Sequence, residues 1–98
     1  MGFQTLVSQL VDEVNGAKEY ARCASADAAH REAYLRMAQA ELDHASALRE
    51  MMREKRDRQR TPEEAATELG SLLAEACLMA DGALAEARAR VGVAGDAA

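Results

Sequence analysis

Residues 41–44 read Glu41-Leu42-Asp43-His44, a Glu and a His three positions apart. On a helix, side chains three apart are neighbours on one face, so a carboxylate and an imidazole would project together. A second acid, Glu13, lies 28 residues upstream. In each case the periodicity of the surrounding sequence sets the acid among apolar or small residues. The positions 3, 6, 10, 13, 17, 20 and 24 are apolar or small except at Glu13. The positions 30, 34, 37, 41, 44, 48 and 51 are apolar except at His30, Glu41 and His44. Both lines therefore predict carboxylates on an inward face. An unpaired carboxylate in an apolar core costs several kcal/mol even after relaxation, and a divalent cation cancels that charge directly. Carboxylate oxygens with imidazole nitrogen suit Fe, Mn or Zn. With 11 Glu and two His in the chain, an ExxH arises readily by composition. The weight rests on its conjunction with Glu13 on the core line of the preceding helix. The competing reading is a polar core satisfied by its own hydrogen bonds.

The elements that must carry these residues are helices. The chain has 98 residues, one domain at most. It contains 23 alanines, five Val, no Ile and only three aromatics. Strands need branched or aromatic side chains to fill a pleated surface, whereas Ala, Leu, Glu, Arg and Met lose little rotamer freedom in a helix. The length accommodates three helices but not a long four-helix bundle. The first is predicted over about Phe3 to Ala24, with Gly16 weakening it locally without stopping it. After a break at Ser25-Ala26-Asp27, where Ser25 or Asp27 can cap the next helix, the second runs from about Ala28 into the mid-fifties. Its apolar line is Tyr34, Met37, Leu48 and Met51. Thr61-Pro62-Glu63-Glu64 forms a capping box opening the third. That helix runs to about Val91 on Leu69, Leu72, Leu73, Ala76, Ala80, Ala83 and Ala87, with Gly82 permitting close packing. The single domain spans residues 1–91, and residues 92–98 form a flexible tail.

Charge and composition exclude other functions. The net charge of −5 argues against binding nucleic acid. Half of the 12 basic residues lie between Arg49 and Arg60, but Glu50, Glu54 and Asp57 interrupt them and no aromatic is present to stack on bases, so the stretch reads as a solvated helix end. No apolar run approaches membrane-spanning length, and Met1–Thr5 lacks the features of a secretory leader. Cys23 and Cys77 are far apart without CxxC spacing and read as reduced thiols of a cytoplasmic protein. His30 reads as a surface or packing histidine. Met37, Met51, Met52 and Met79 read as core filler.

A Glu on one helix with ExxH on the next is half of the ligand set of di-iron carboxylate bundles. The chain from Leu6 to Met52 resembles the ferritin-like superfamily, and most of all its half-size branch, the encapsulated ferritin-like proteins. Glu13, Tyr20 two turns later, and Glu41-Leu42-Asp43-His44-Ala45 stand where that branch has its inward Glu, its aromatic pair and its ExxH followed by small residues. The resemblance implies an all-α fold: an antiparallel two-helix hairpin plus a third helix, forming a four-helix bundle on dimerisation. It implies a ferroxidase for iron storage or detoxification, with Fe(II) oxidised by oxygen at a site shared between two subunits. Glu13, Glu41 and His44 would be the iron ligands and Tyr20 a partner of a ligand carboxylate. The implied partners are a second copy, in a homodimer or a larger even-numbered oligomer, and an encapsulin-type shell. Related short chains also occur in phage settings. The chain departs from the branch in four ways. The first Glu and the ExxH, 28 residues apart, are slightly closer, which implies a shorter inter-helix loop. The aromatic pair is reduced to Glu19-Tyr20, the third helix is longer, and no targeting tail is legible after Val91. The alternatives are a non-catalytic helical oligomerisation or phage structural protein, and a bundle that holds Zn or Mn without redox turnover.

Overall fold

The computed structural model describes residues 2–58 and 68–96, and over them it is helical apart from Gly2, Asp27 and Arg58, with no strand. Helix α1 spans Phe3–Ala26, α2 spans Arg31–Asp57 and α3 spans Glu68–Asp96. A single 3-10 turn, Ala28–His30, joins α1 to α2. Asp27 caps it: its Oδ1 accepts from the His30 backbone N–H at 3.2 Å, satisfying an amide that the helix start leaves without a partner. The Arg31 Nε also donates to the Ala24 carbonyl at 3.0 Å, tying the turn to the end of α1.

The turn folds α2 back antiparallel against α1. Helix α3 packs on both, so the hairpin and the third helix form one three-helix bundle. Its direction follows from the links between helices. Lys18 pairs with Glu86 at 3.3 Å, Arg88 donates to Ser46 Oγ at 2.8 Å, and Arg49 clasps Asp81. Helix α3 therefore runs parallel to α1 and antiparallel to α2. The main core joins Leu6, Leu10, Val14 and Ala17 of α1 with Leu42, Ala45 and Met52 of α2 and Cys77, Ala80, Leu84 and Ala87 of α3. A smaller cluster of Ala21, Ala24 and Ala94 closes the far end. Alanines at these contacts let the helices approach closely, at the expense of buried area per residue.

Four sequence expectations change. In α2 the buried residues are Ala38, Leu42, Ala45 and Met52, not the line through Met37, Glu41, His44 and Met51. Each buried position is one residue later, a rotation of about 100°. Met37 and Met51 are 40% and 39% exposed and Met79 is 71% exposed, so of the four methionines read as core filler only Met52 is buried. The physical reason is the alanine content: where small residues occur on every face, the large methionines mislead the phase. In α3, Leu72 is more than half exposed while Leu73 is buried. A Cβ on Gly82 would meet nothing within 4 Å, so that glycine serves no close contact. The chain from Gly92 is helical to Asp96, and Ala94 is only 1% exposed against the alanines of α1. The capping box at Thr61–Glu64 and the side chain of Leu69 lie outside the described residues. No helix among the described residues is long and apolar enough to cross a membrane.

Candidate metal centre

The rotation of α2 decides where the acidic residues go. Among the described residues none that is polar or charged is fully buried. Glu13 and Glu41 are half-buried at the margin of the α1–α2 contact, and the His44 side chain is 65% exposed. The inward placement expected from the sequence is therefore corrected to an edge placement. On α2, Ser46 and Arg49 project toward α3, while Glu41 and His44 lie on the other side of the buried line, their mean direction about 140° away around the helix. The acids thus lie on the side of the hairpin that α3 leaves uncovered, with Met37 and Met51 on the same stripe of α2.

The three residues nevertheless converge. One ligand atom from each of Glu13, Glu41 and His44 lies within 4.8 Å of the other two. His44 Nδ1 stands 3.4 Å from Glu13 Oε2, across the antiparallel pair. Antiparallel pairing brings residue 13 opposite the 41–44 turn, and the ExxH spacing then puts both α2 donors on that side. Hydrogen bonding with Glu13 is the main reason the Glu41 carboxyl titrates above the ordinary glutamate range, with partial burial and the Glu13 charge adding to it. Two carboxylates crowded together hold a proton that either would release alone.

The donor set fits a first-row divalent ion. Tetrahedral bonds of about 2.1 Å set donors about 3.4 Å apart, so closure around an ion draws donors that lie within 4.8 Å of one another together by up to about 1.4 Å, within the reach of side-chain rotation. Three protein donors leave further coordination positions to water or to another chain. Oxygen-rich ligation with one imidazole suits Fe, Mn or Zn and disfavours soft ions.

Other sequence candidates fall elsewhere. His30 pairs through Nδ1 with Asp27 Oδ2 at 2.9 Å and is exposed, a local cap contact rather than a ligand. Tyr20 stacks on Tyr34, ring centroids 6.5 Å apart. Among the described contacts its hydroxyl has no hydrogen bond to a site carboxylate. Sequence reasoning gave no role to two further features, one on the α3 side of α2 and one at the site itself. Arg49 meets Asp81 in a two-pronged pair, with Nη2 to Oδ2 at 2.9 Å, and the guanidinium holds the Asp81 carboxyl below its ordinary value. Gly16 lies directly beneath the Glu41 carboxylate. The sequence signal for Gly16 was a glycine three residues after Glu13 inside an otherwise good helix.

No known protein family, curated protein or solved structure matches the chain.

Proposed function

We propose that this chain is a half-site ferroxidase: two copies bring their hairpins together and jointly hold a pair of iron ions as substrate. The observation that carries this reading is the convergence of Glu13, Glu41 and His44 within 4.8 Å on the hairpin face that α3 leaves open. One chain supplies three donors, too few to enclose two ions. A second copy facing the first would add another Glu, Glu and His and complete a four-helix arrangement. Met37 and Met51 lie along the same stripe of α2, and their exposure supports an apolar contact with that copy.

In this reading Glu13, Glu41 and His44 of each chain would hold the iron, with Glu41 as the candidate bridge and Glu13 and His44 as the capping ligands. The carboxylates would offset the added charge as the two Fe(II) ions each gave one electron to dioxygen, which with two protons from water would leave as hydrogen peroxide. Because Glu13 raises the Glu41 titration and a metal takes the carboxylate form, binding would strengthen as pH rises. The exposure of His44 favours a second reading, a self-associating helical module that takes Zn or Mn without turnover.

Aerobic addition of Fe(II) to the pure protein, followed by Fe(III) absorbance, tests the enzyme. Wild type should oxidise iron well above background and Glu41→Ala should not. Equal, background-level rates for the two would end the ferroxidase reading. Sizing with and without metal tests the shared site, which a monomer under both conditions would contradict.

A further inference from the structure

Gly16 occupies the middle of α1, three residues beyond Glu13. Glycine inside a helix is costly compared with alanine because it gives up more backbone freedom. Backbone conformation does not call for it, since no described glycine has a positive φ. Space does. A Cβ at residue 16 would stand 2.9 Å from Oε2 of Glu41, 3.2 Å from its Cδ and 3.5 Å from its Cγ. By contrast, a Cβ at Gly2, Gly82, Gly92 or Gly95 would meet nothing within 4 Å.

The atom that a Cβ would strike belongs to the far end of a flexible side chain. The fold can therefore absorb the change, but the carboxylate cannot stay where it is. We propose that Gly16 is a positioning residue for the metal centre: lacking a side chain, it lets the Glu41 carboxylate lie against the backbone of α1, within reach of Glu13 and His44. The inference rests on the metal-binding reading above and deepens it. The ExxH motif places Glu41 on the correct face of α2, and Gly16 sets how far its carboxylate reaches across to α1. A Cβ there would turn the carboxylate outward and separate the bridging candidate from the other two donors.

The test is Gly16→Ala in the full chain, with two readouts. The first is Zn2+ alone, titrated into chelator-stripped protein by calorimetry, alongside melting temperatures in chelator. Affinity should fall about 10- to 100-fold, the usual loss when a ligand's supporting contact is removed. The melting temperature should not fall, because alanine is the better helix former. Affinity equal to wild type, or affinity and melting temperature falling together, overturns the inference. The second readout is the crystal structure of metal-free Gly16→Ala. It should show the Glu41 carboxylate displaced from Glu13 with α1 and α2 unmoved, and an undisplaced carboxylate overturns the inference. A wild type that takes up no Zn2+ refutes the metal reading instead, and the structural readout alone then decides whether Gly16 positions Glu41.

Discussion

The crowding at the site makes Glu41→Gln an informative substitution. Two carboxylates with oxygens no more than 4.8 Å apart repel by about 0.9 kcal/mol in water and by about 3.5 kcal/mol at an effective dielectric of 20. The site is open on one side, so the lower end applies, about 1 kcal/mol. The sign follows from the raised Glu41 titration: stability is full while the carboxyl stays protonated and is lost as pH rises through its folded-state value. Gln keeps the shape, removes the charge and gives Glu13 an N–H donor. At neutral pH in chelator, Glu41→Gln should therefore melt higher than wild type by about 4–8 °C for a domain of this size. Metal should reverse the order. At about one hundred times the dissociation constant, binding stabilises wild type by about 2.7 kcal/mol, while the variant, short of one ligand, gains much less. Thermal denaturation followed by circular dichroism, with chelator and with Zn2+, reads both. If Glu41→Gln melts lower in chelator and gains as much from Zn2+ as wild type, Glu41 is neither strained nor a ligand.

Three further outcomes check the scaffold. Leu10→Ala removes a side chain that is 1% exposed in the main core and should cost about 2–5 kcal/mol, read from the urea midpoint; a loss well below that range would mean the core is looser than described. Asp81→Asn should cost about 1 kcal/mol at neutral pH, discounted because the Asp81 side chain is 44% exposed. Since Arg49 depresses the Asp81 titration, the gap between wild type and variant should close as pH falls through that depressed value; a gap that persists in acid would show that charge pairing is not its source. Ala94→Asp forces a charge against Ala21 and Ala24 and should abolish hydrogen-exchange protection near Val91–Asp96 while sparing α2; undiminished protection there would place the end of α3 away from α1.

The helices themselves were legible from composition and from the 3.6-residue period, and so was the pairing of Glu13 with the 41–44 turn. The phase of α2 was not. Alanines at 38, 40, 45 and 47 make several faces look equally apolar, and the bulk of Met37 and Met51 drew the line one residue early. That error moved Glu41 and His44 into a core they only border. It left their mutual geometry intact, because the ExxH spacing survives any rotation of the helix. The continuation of α3 beyond Val91 was hidden because Gly92 and Gly95 signal an end, whereas burial of Ala94 offsets their poor propensity. The Arg49–Asp81 link joins residues 32 positions apart and has no local signature. Gly16 was visible only as a weakness in α1, since its reason lies on the other helix.

The Tyr20–Tyr34 stack has a practical consequence. The chain contains no Trp and only these two tyrosines, so its ultraviolet emission comes from one site, where the hairpin halves meet. Tyr20 lies two turns after Glu13 and Tyr34 two turns before Glu41, about 10 Å along each helix from the donor cluster. Opening of the hairpin would part the rings and alter that emission, and a paramagnetic ion held by the cluster would quench it at short range. The protein thus carries an optical reporter for both events, and neither measurement needs a label.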